Sequence, residues 1–209
     1  MNDKLVSMVK VAQSLLPTLH GDLTAHAFRS QDNGQEHLAI TVGDFSSAPT
    51  EPVLVRMHSE CLTGDVFGSR RCDCGEQLNE ALARIVTAGK GVLLYLRGHE
   101  GRGIGIAEKI RAYALQDQGV DTVDANLQLG HPADARNYDD AAAMLAQLGI
   151  CSIRLLTNNP QKITALEDAG ITIVERIPLV IQPNPANAGY LQTKQLRMRH
   201  NYGVDTPEG

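Results

Sequence analysis

Residues 91–105 read Gly91-Val92-Leu93-Leu94-Tyr95-Leu96-Arg97-Gly98-His99-Glu100-Gly101-Arg102-Gly103-Ile104-Gly105, and their reading decides the fold class. Gly91–Leu96 is a short buried strand. A glycine-rich loop follows, and then a helix from about Ile106 to Gln118, stopped by Gly119. Strand, glycine loop and helix start make a natural anion site, because free N–H groups point outward at a helix N-terminus. Arg102 adds positive charge to it. The loop fits neither Gly-x-x-x-x-Gly-Lys-[Ser/Thr] nor Gly-x-Gly-x-x-Gly, so the P-loop and dinucleotide fingerprints both fail. A tight turn needing positive φ would use the same glycines.

The alternation extends to both sides. Upstream, Glu76–Ala88 places Leu78, Leu82, Ile85 and Val86 on one helical face, with Gly89 as the stop. Downstream come a helix over about Tyr138–Leu148 ended by Gly149, a strand at Ser152–Leu156, and a helix capped by Asn158 or Asn159. That helix has Pro160 in its first turn and Gly170 past its end. Ile171–Val174 is the next strand, Gln182–Gly189 a Pro/Asn loop, and a basic amphipathic helix closes the chain. Residues 1 to about 60 differ. They carry short β-type runs, His37–Val42 and Val53–Met57 among them, and read as a small antiparallel sheet. The expectation is an α+β (mixed α/β) fold: N-terminal antiparallel strands leading into strand–helix units on a partly parallel sheet with right-handed crossovers. No long linker interrupts residues 1–209, which reads as one domain.

Composition narrows the function. Of 209 residues, 43% are hydrophobic, enough for a core that excludes disorder. The net charge of −5 argues against nucleic acid or a membrane surface as partner, so an anionic ligand must be met by local positive charge. No stretch approaches a transmembrane helix. The N-terminal residues are interrupted by Asp3, Lys4 and Lys10, unlike a signal peptide. A cytoplasmic location follows, and there clustered cysteines serve as metal ligands or catalysts rather than disulfides.

The cluster is Cys61-x10-Cys72-x-Cys74. Three thiolates from a short loop can share one zinc ion with a position left open for water, whose pKa then falls to about 7. With His58 as a fourth ligand the site would be structural; three unrelated buried thiols are the plain alternative. Cys151, in an apolar strand, reads as a small core residue. Polar clusters also follow two strands, Arg56-Met57-His58-Ser59-Glu60 and Thr157-Asn158-Asn159-Pro160-Gln161-Lys162. Ligands of open α/β sheets gather beyond such strand ends, although Asn-Asn-Pro is also a good helix cap and Lys162 alone a common surface residue. Asp134-Ala135-Arg136, by itself, reads as a surface ion pair.

Taken in order, these segments resemble GTP cyclohydrolase II. The carrying motifs are Arg56-Met57-His58-Ser59-Glu60-Cys61-Leu62-Thr63-Gly64-Asp65, Arg71-Cys72-Asp73-Cys74-Gly75 and His99–Gly105, followed by Lys109–Asp117, Asp121–Asn126 and Leu155–Lys162. The likeness runs from about residue 35 to 200, with a tail over 201–209 expected to be flexible. It implies a reaction that opens the imidazole ring of GTP. Formate, pyrophosphate and a 2,5-diamino-6-ribosylaminopyrimidinone 5′-phosphate are released, at the entry to riboflavin biosynthesis. It implies one catalytic zinc on Cys61, Cys72 and Cys74, which makes His58 a pocket residue. Arg56, Met57, His58, Ser59, Glu60, Gln77, Glu100, Gly101, Arg102, Thr122, Thr157 and Lys162 correspond to positions that contact the nucleotide. Either Glu60 or Glu100 would accept the N–H groups of guanine. Tyr113 corresponds to a tyrosine linked to complete ring opening; otherwise it is a core-facing helix residue. Asp134 corresponds to the proton acceptor and Arg136 to a nucleophile at the α-phosphate, although a guanidinium is better suited to electrostatic stabilisation. Mg²⁺ would arrive with the triphosphate, and the family implies a homodimer. A chain that stops at the formamidopyrimidine or takes another purine, and a zinc-stabilised binding module, are the alternatives.

Overall fold

The computed structural model describes residues 8–202. Its strands are β1 (Met8–Thr18), β2 (Gly21–Ser30), β3 (Glu36–Val42), β4 (Val53–Ser59), β5 (Gly91–Leu96), β6 (Ser152–Leu156) and β7 (Thr172–Ile177). They form one sheet in the order β1-β2-β3-β5-β4-β6-β7. Pairing is antiparallel from β1 through β2 and β3 to β5, and parallel from β5 through β4 and β6 to β7. The helices are α1 (Leu62–Asp65), α2 (Cys74–Thr87), α3 (Gly105–Gln116), α4 (Thr122–Gln128), α5 (Asp139–Gln147), α6 (Pro160–Asp168) and α7 (Ala188–Met198). The expected mixed architecture is present. None of these helices is long and apolar enough to cross a membrane. Of the tail over 201–209, only Asn201 and Tyr202 fall within the described residues.

Local signals place most elements within about two residues. Asn159, not Asn158, caps α6: its Oδ1 accepts from Gln161 N at 2.9 Å. Asn158 instead binds both the N–H and the carbonyl of Leu179. Two expectations are corrected. Val53–Met57 belongs not to the N-terminal antiparallel sheet but to β4, central in the parallel half between β5 and β6. Six of its seven residues are buried, as in a strand covered on both faces. The polar stretch 43–52 resembles a hairpin loop, yet β5 inserts between β3 and β4, a pairing that local pattern does not reveal. Cys151 is exposed rather than buried, because it precedes β6 and joins the sheet edge only through its carbonyl, bound by Thr172 N–H.

Alternation along β4 positions the site. Val53, Val55 and Met57 pack into the core with α5 and α6, while Leu54 packs into a second core with Ala81 and Ile85 of α2. Arg56 and His58 share the phase of Leu54, so they emerge on the α2 side, past its apolar stretch. A slip of one residue would drive both into the core and expel Val55 and Met57, each worth about 1.5–3 kcal/mol when buried. Core packing thus fixes where the functional side chains point.

Candidate active site

The thiols meet where α1 and α2 begin. Cys61 is the N-cap of the single-turn α1, and Cys74 opens α2. The Sγ atoms of Cys61, Cys72 and Cys74 lie within 4.8 Å of one another, Cys61 and Cys72 being 3.6 Å apart. Two glycines make this approach possible. A Cβ at Gly64 would stand 2.9 Å from Cys72 Sγ, and one at Gly75 would stand 2.3 Å from the Gly64 carbonyl oxygen. Three converging thiols in such a cradle fit one thiophilic ion such as zinc. Hydrogen bonds from the Cys72 and Cys74 thiols hold Cys61 far below the ordinary thiol range, and the bond with Cys61, joined by burial and opposed by Cys74, pushes Cys72 up to about 11.

Charged groups around the thiols are mutually partnered. Lys109 of α3 donates to Cys61 Sγ at 3.1 Å and Thr63 Oγ1 at 2.8 Å, and pairs with Glu100. The other Glu100 oxygen accepts from Leu62 N at 2.6 Å. Asp65 gathers Cys61 N–H at 3.0 Å, Tyr95 O–H at 2.8 Å and His58 Nε2–H at 3.0 Å. His58 is thus held by a carboxylate outside the thiol cluster, as a pocket residue rather than a ligand. Burial, outweighing Asp65, keeps it below its usual pKa and neutral. Tyr113 lies at the cavity wall between Arg71 and Lys109, 4.9 and 5.6 Å from its ring centroid, rather than in the core.

The opposite side holds cations whose hydrogen bonds go to neutral acceptors. Arg56 donates to Leu156 O at 3.0 Å and Gln77 Oε1 at 2.6 Å. Lys162 donates to Met57 O at 2.7 Å, and Arg102 to Ala133 O at 3.4 Å. All three are buried, and none forms an ion pair among the described residues. Burial pulls Arg56 down to about 10. Burial, followed by the charges of Arg56, Arg136 and Lys194, lowers Lys162 well below the ordinary lysine value. Arg102 adopts φ 68°, strained for a residue with a Cβ, between Gly101 and Gly103 at 60° and 91°. The glycine loop therefore serves as more than a turn: it turns Arg102 inward.

Asp134 and Arg136 form a two-pronged pair, Arg136 Nε–H reaching Asp134 Oδ1 at 2.8 Å. Burial disfavours the Asp134 carboxylate, but Arg136 prevails and holds it below its usual pKa; burial likewise opposes the Arg136 charge, which Asp134 nonetheless raises. Arg136 also approaches Ser59 Oγ at 3.4 Å, and Ser59 bonds His99 Nδ1 at 3.1 Å. Burial, then Arg136 and Lys162, lower His99 to about 3, so its imidazole is neutral. Among the described residues Glu60 is held at one oxygen, by Gly98 N–H at 2.8 Å.

One cavity of about 980 Å³, its mouth included, collects these groups. Gln77, Thr122 and Thr157 line it with the thiols, the cations, Ser59, Glu60, Glu100 and Gly101. Met57 does not: its side chain is in the core and only its carbonyl reaches Lys162. Asp134 lies on an adjoining cleft and meets the cavity through Arg136. Sequence reasoning passed over Asp65 and Lys109. The i, i+4 spacing of Lys109 and Tyr113 was the available signal for the latter. It also passed over Tyr190, Lys194 and His200, at the C-terminal end, where no motif marked them.

Three converging thiols thus face buried cations, which form no ion pair among the described residues, across one cavity, an arrangement that suits a metal ion beside an anionic small molecule. A model of the GTP cyclohydrolase II family matches residues 9–178, and the chain belongs to that family. It is similar to the riboflavin biosynthesis protein RibBA of Nocardia farcinica, 55% identical over 199 residues, covering 95% of this chain and 48% of that protein. RibBA of Aquifex aeolicus is 54% identical over 193 residues, covering 92% of this chain and 47% of that protein. RibBA of Mycobacterium tuberculosis is 53% identical over 199 residues, with 94% and 47% covered. The chain thus spans about half the length of the curated relatives it matches. A solved structure, the two-domain 3,4-dihydroxy-2-butanone 4-phosphate synthase RibBX of A. baumannii, matches 85% of this chain and 41% of its own. The TM-score is 0.46 at 18% identity, a likeness too slight to bear on function.

Proposed function

We propose that this protein hydrolyses GTP at the guanine imidazole ring, releasing formate and pyrophosphate and leaving the 2,5-diamino-6-ribosylaminopyrimidinone 5′-phosphate. The supporting observation is the pairing, in one cavity, of a three-thiol cradle with Arg56, Arg102 and Lys162, three buried cations that among the described residues hold only neutral acceptors. Cys61, Cys72 and Cys74 would hold zinc, which when bound supplies a Lewis acid and an acidified water for attack at C8. Mg²⁺ would enter with the triphosphate.

The side chains divide the work by charge. Arg102, Lys162 and Arg56 neutralise the phosphates. Arg136, kept protonated by Asp134, stabilises the charge that develops as pyrophosphate leaves, an electrostatic role rather than a nucleophilic one. Asp134 orients that guanidinium and, being ionised, is able to accept a proton. Glu100 has both oxygens engaged, whereas Glu60 keeps one oxygen for the N1–H or N2–H of guanine. Neutral His58 and His99 add no charge to the guanine side. A cytoplasmic location and a homodimer complete the reading.

Purified, zinc-loaded protein incubated with GTP and Mg²⁺ is expected to yield formate, pyrophosphate and the ultraviolet spectrum of a ring-opened pyrimidine. No formate would overturn this function. Pyrophosphate with a formamide product would instead identify an enzyme that stops one hydrolysis earlier.

A further inference from the structure

We propose that α7 forms part of the substrate site, and that Lys194 and His200 bind the nucleotide polyphosphate together with Arg102. This rests on the function proposed above but concerns residues beyond the family-matched stretch, which ends at residue 178. Tyr190, Lys194 and Met198 recur every four residues on α7 and line the cavity, as does His200 just past the helix. Lys194 is buried and bonds Asp73 Oδ1 at 2.8 Å. An ammonium has three donors, so the ion pair leaves others for a ligand.

Two atoms point to that ligand. Among the described residues Arg102 Nη2 and His200 Nε2 are buried without a hydrogen-bond partner, and both residues line the same cavity. Unmet buried donors are unfavourable until something accepts from them, and the surrounding cations specify an anion. Burial, then Lys194, Lys162, Arg136 and Arg102, hold His200 near pKa 2, so its imidazole is neutral, and with the proton on Nε2 it would be a neutral donor among charged ones.

The helix is fixed where such a role requires. Arg197 pairs with Asp121 and with Asp124, the latter at 3.0 Å, on either side of Thr122. Asn201 N–H donates to Asn158 O at 2.9 Å, in the loop that carries Thr157. The Lys194–Asp73 pair reaches the residue between two of the thiols. The C-terminal helix thereby bridges α2, α4 and the β6–α6 loop over the cation side of the cavity.

Binding distinguishes this role from simple packing. Full-length, zinc-loaded protein would be titrated calorimetrically with GMP and with the α,β-methylene analogue of GTP, which cannot release pyrophosphate. The wild-type chain should prefer the triphosphate. His200→Ala and Lys194→Met should each weaken triphosphate binding about tenfold or more, the size of a lost charge-assisted hydrogen bond, while GMP binding changes much less. Retention of the wild-type preference in His200→Ala overturns the proposal, as does an equal loss for both ligands in either variant. Lys194→Met strands Asp73, so if it does not fold, His200→Ala decides. A wild-type protein with no preference for the triphosphate counts against the GTP reading itself.

Discussion

The two ends of the cavity handle charge in opposite ways. At the thiol end Lys109 meets Glu100 and Cys61, and Asp65 is satisfied by three neutral donors. At the other end, among the described residues, Arg56, Arg102 and Lys162 bond only carbonyl or amide oxygens, and two guanidinium nitrogens, Arg56 Nε and Arg102 Nη2, have no partner. Buried charge without a counter-ion is unfavourable by several kcal/mol per ion. The difference teaches that the thiol end is satisfied within the chain, whereas the cation end, on the function proposed, would be organised for a charge the substrate brings. Each end should therefore fail in its own way when mutated.

The largest effect is expected at the thiols. Cys72→Ser should lose zinc and slow formate release by about a thousandfold or more, the scale of several kcal/mol of Lewis-acid activation. Triphosphate affinity should scarcely move, because no cation bonds Cys72. Zinc content, formate and calorimetric binding measured on the same preparation check this; a parallel collapse of affinity would show that the two ends are not separable. Next in size is Arg136→Met, expected to slow pyrophosphate release about 100- to 1,000-fold with zinc content intact. Arg136→Lys should recover little, since the two-pronged contact with Asp134 needs a guanidinium. Full activity in Arg136→Met would remove Arg136 from the chemistry.

A smaller effect should come from the partner of the thiols. Lys109→Met removes the donor to Cys61 Sγ and frees Glu100. Outer hydrogen bonds to metal ligands typically contribute 10- to 100-fold in affinity, so zinc binding should weaken by about that factor in a chelator competition. Unchanged zinc affinity would mean that the cradle of Gly64 and Gly75 holds the thiols unaided.

The two ends also differ in how far the sequence revealed them. The thiol end was legible because its parts are local: Cys61, Cys72 and Cys74 fall within one short segment, and α1 and α2 fold that segment back on itself. The glycine loop was legible as strand, turn and helix, but not the inward turn of Arg102, which depends on φ at a single residue. β4 was misassigned because its neighbours β5 and β6 come later in the chain. β1 escaped a specific assignment because only Met8 is buried along it, which leaves no alternation to read. The contributions of Lys194 and His200 were illegible for a stronger reason: Lys194 meets Asp73 across 121 residues, and nothing local announces that contact.

The smallest expected effect tests the comparison most directly. If Lys162 is held against its own electrostatics, removing its charge should stabilise the free protein while weakening it as an enzyme. Burial and three neighbouring cations lower its folded pKa well below the 10.5 of an ordinary lysine. Between those two values the unfolded chain binds the proton that the folded chain sheds, so wild-type stability should rise with pH across that window. Lys162→Met cannot titrate there and should lack this contribution to the slope. At neutral pH it should be more stable by about 1 kcal/mol, the gain from the removed charge outweighing the acceptor lost at Met57 O. The gap should shrink as pH approaches 10.5. The same variant should bind the triphosphate about tenfold more weakly, having lost one charge-assisted contact. Thermal unfolding of both proteins from neutral pH upward gives the comparison. A variant less stable than wild type at neutral pH, with a parallel pH profile, would mean that Lys162 is satisfied where it lies and that the cation end is not waiting for an anion.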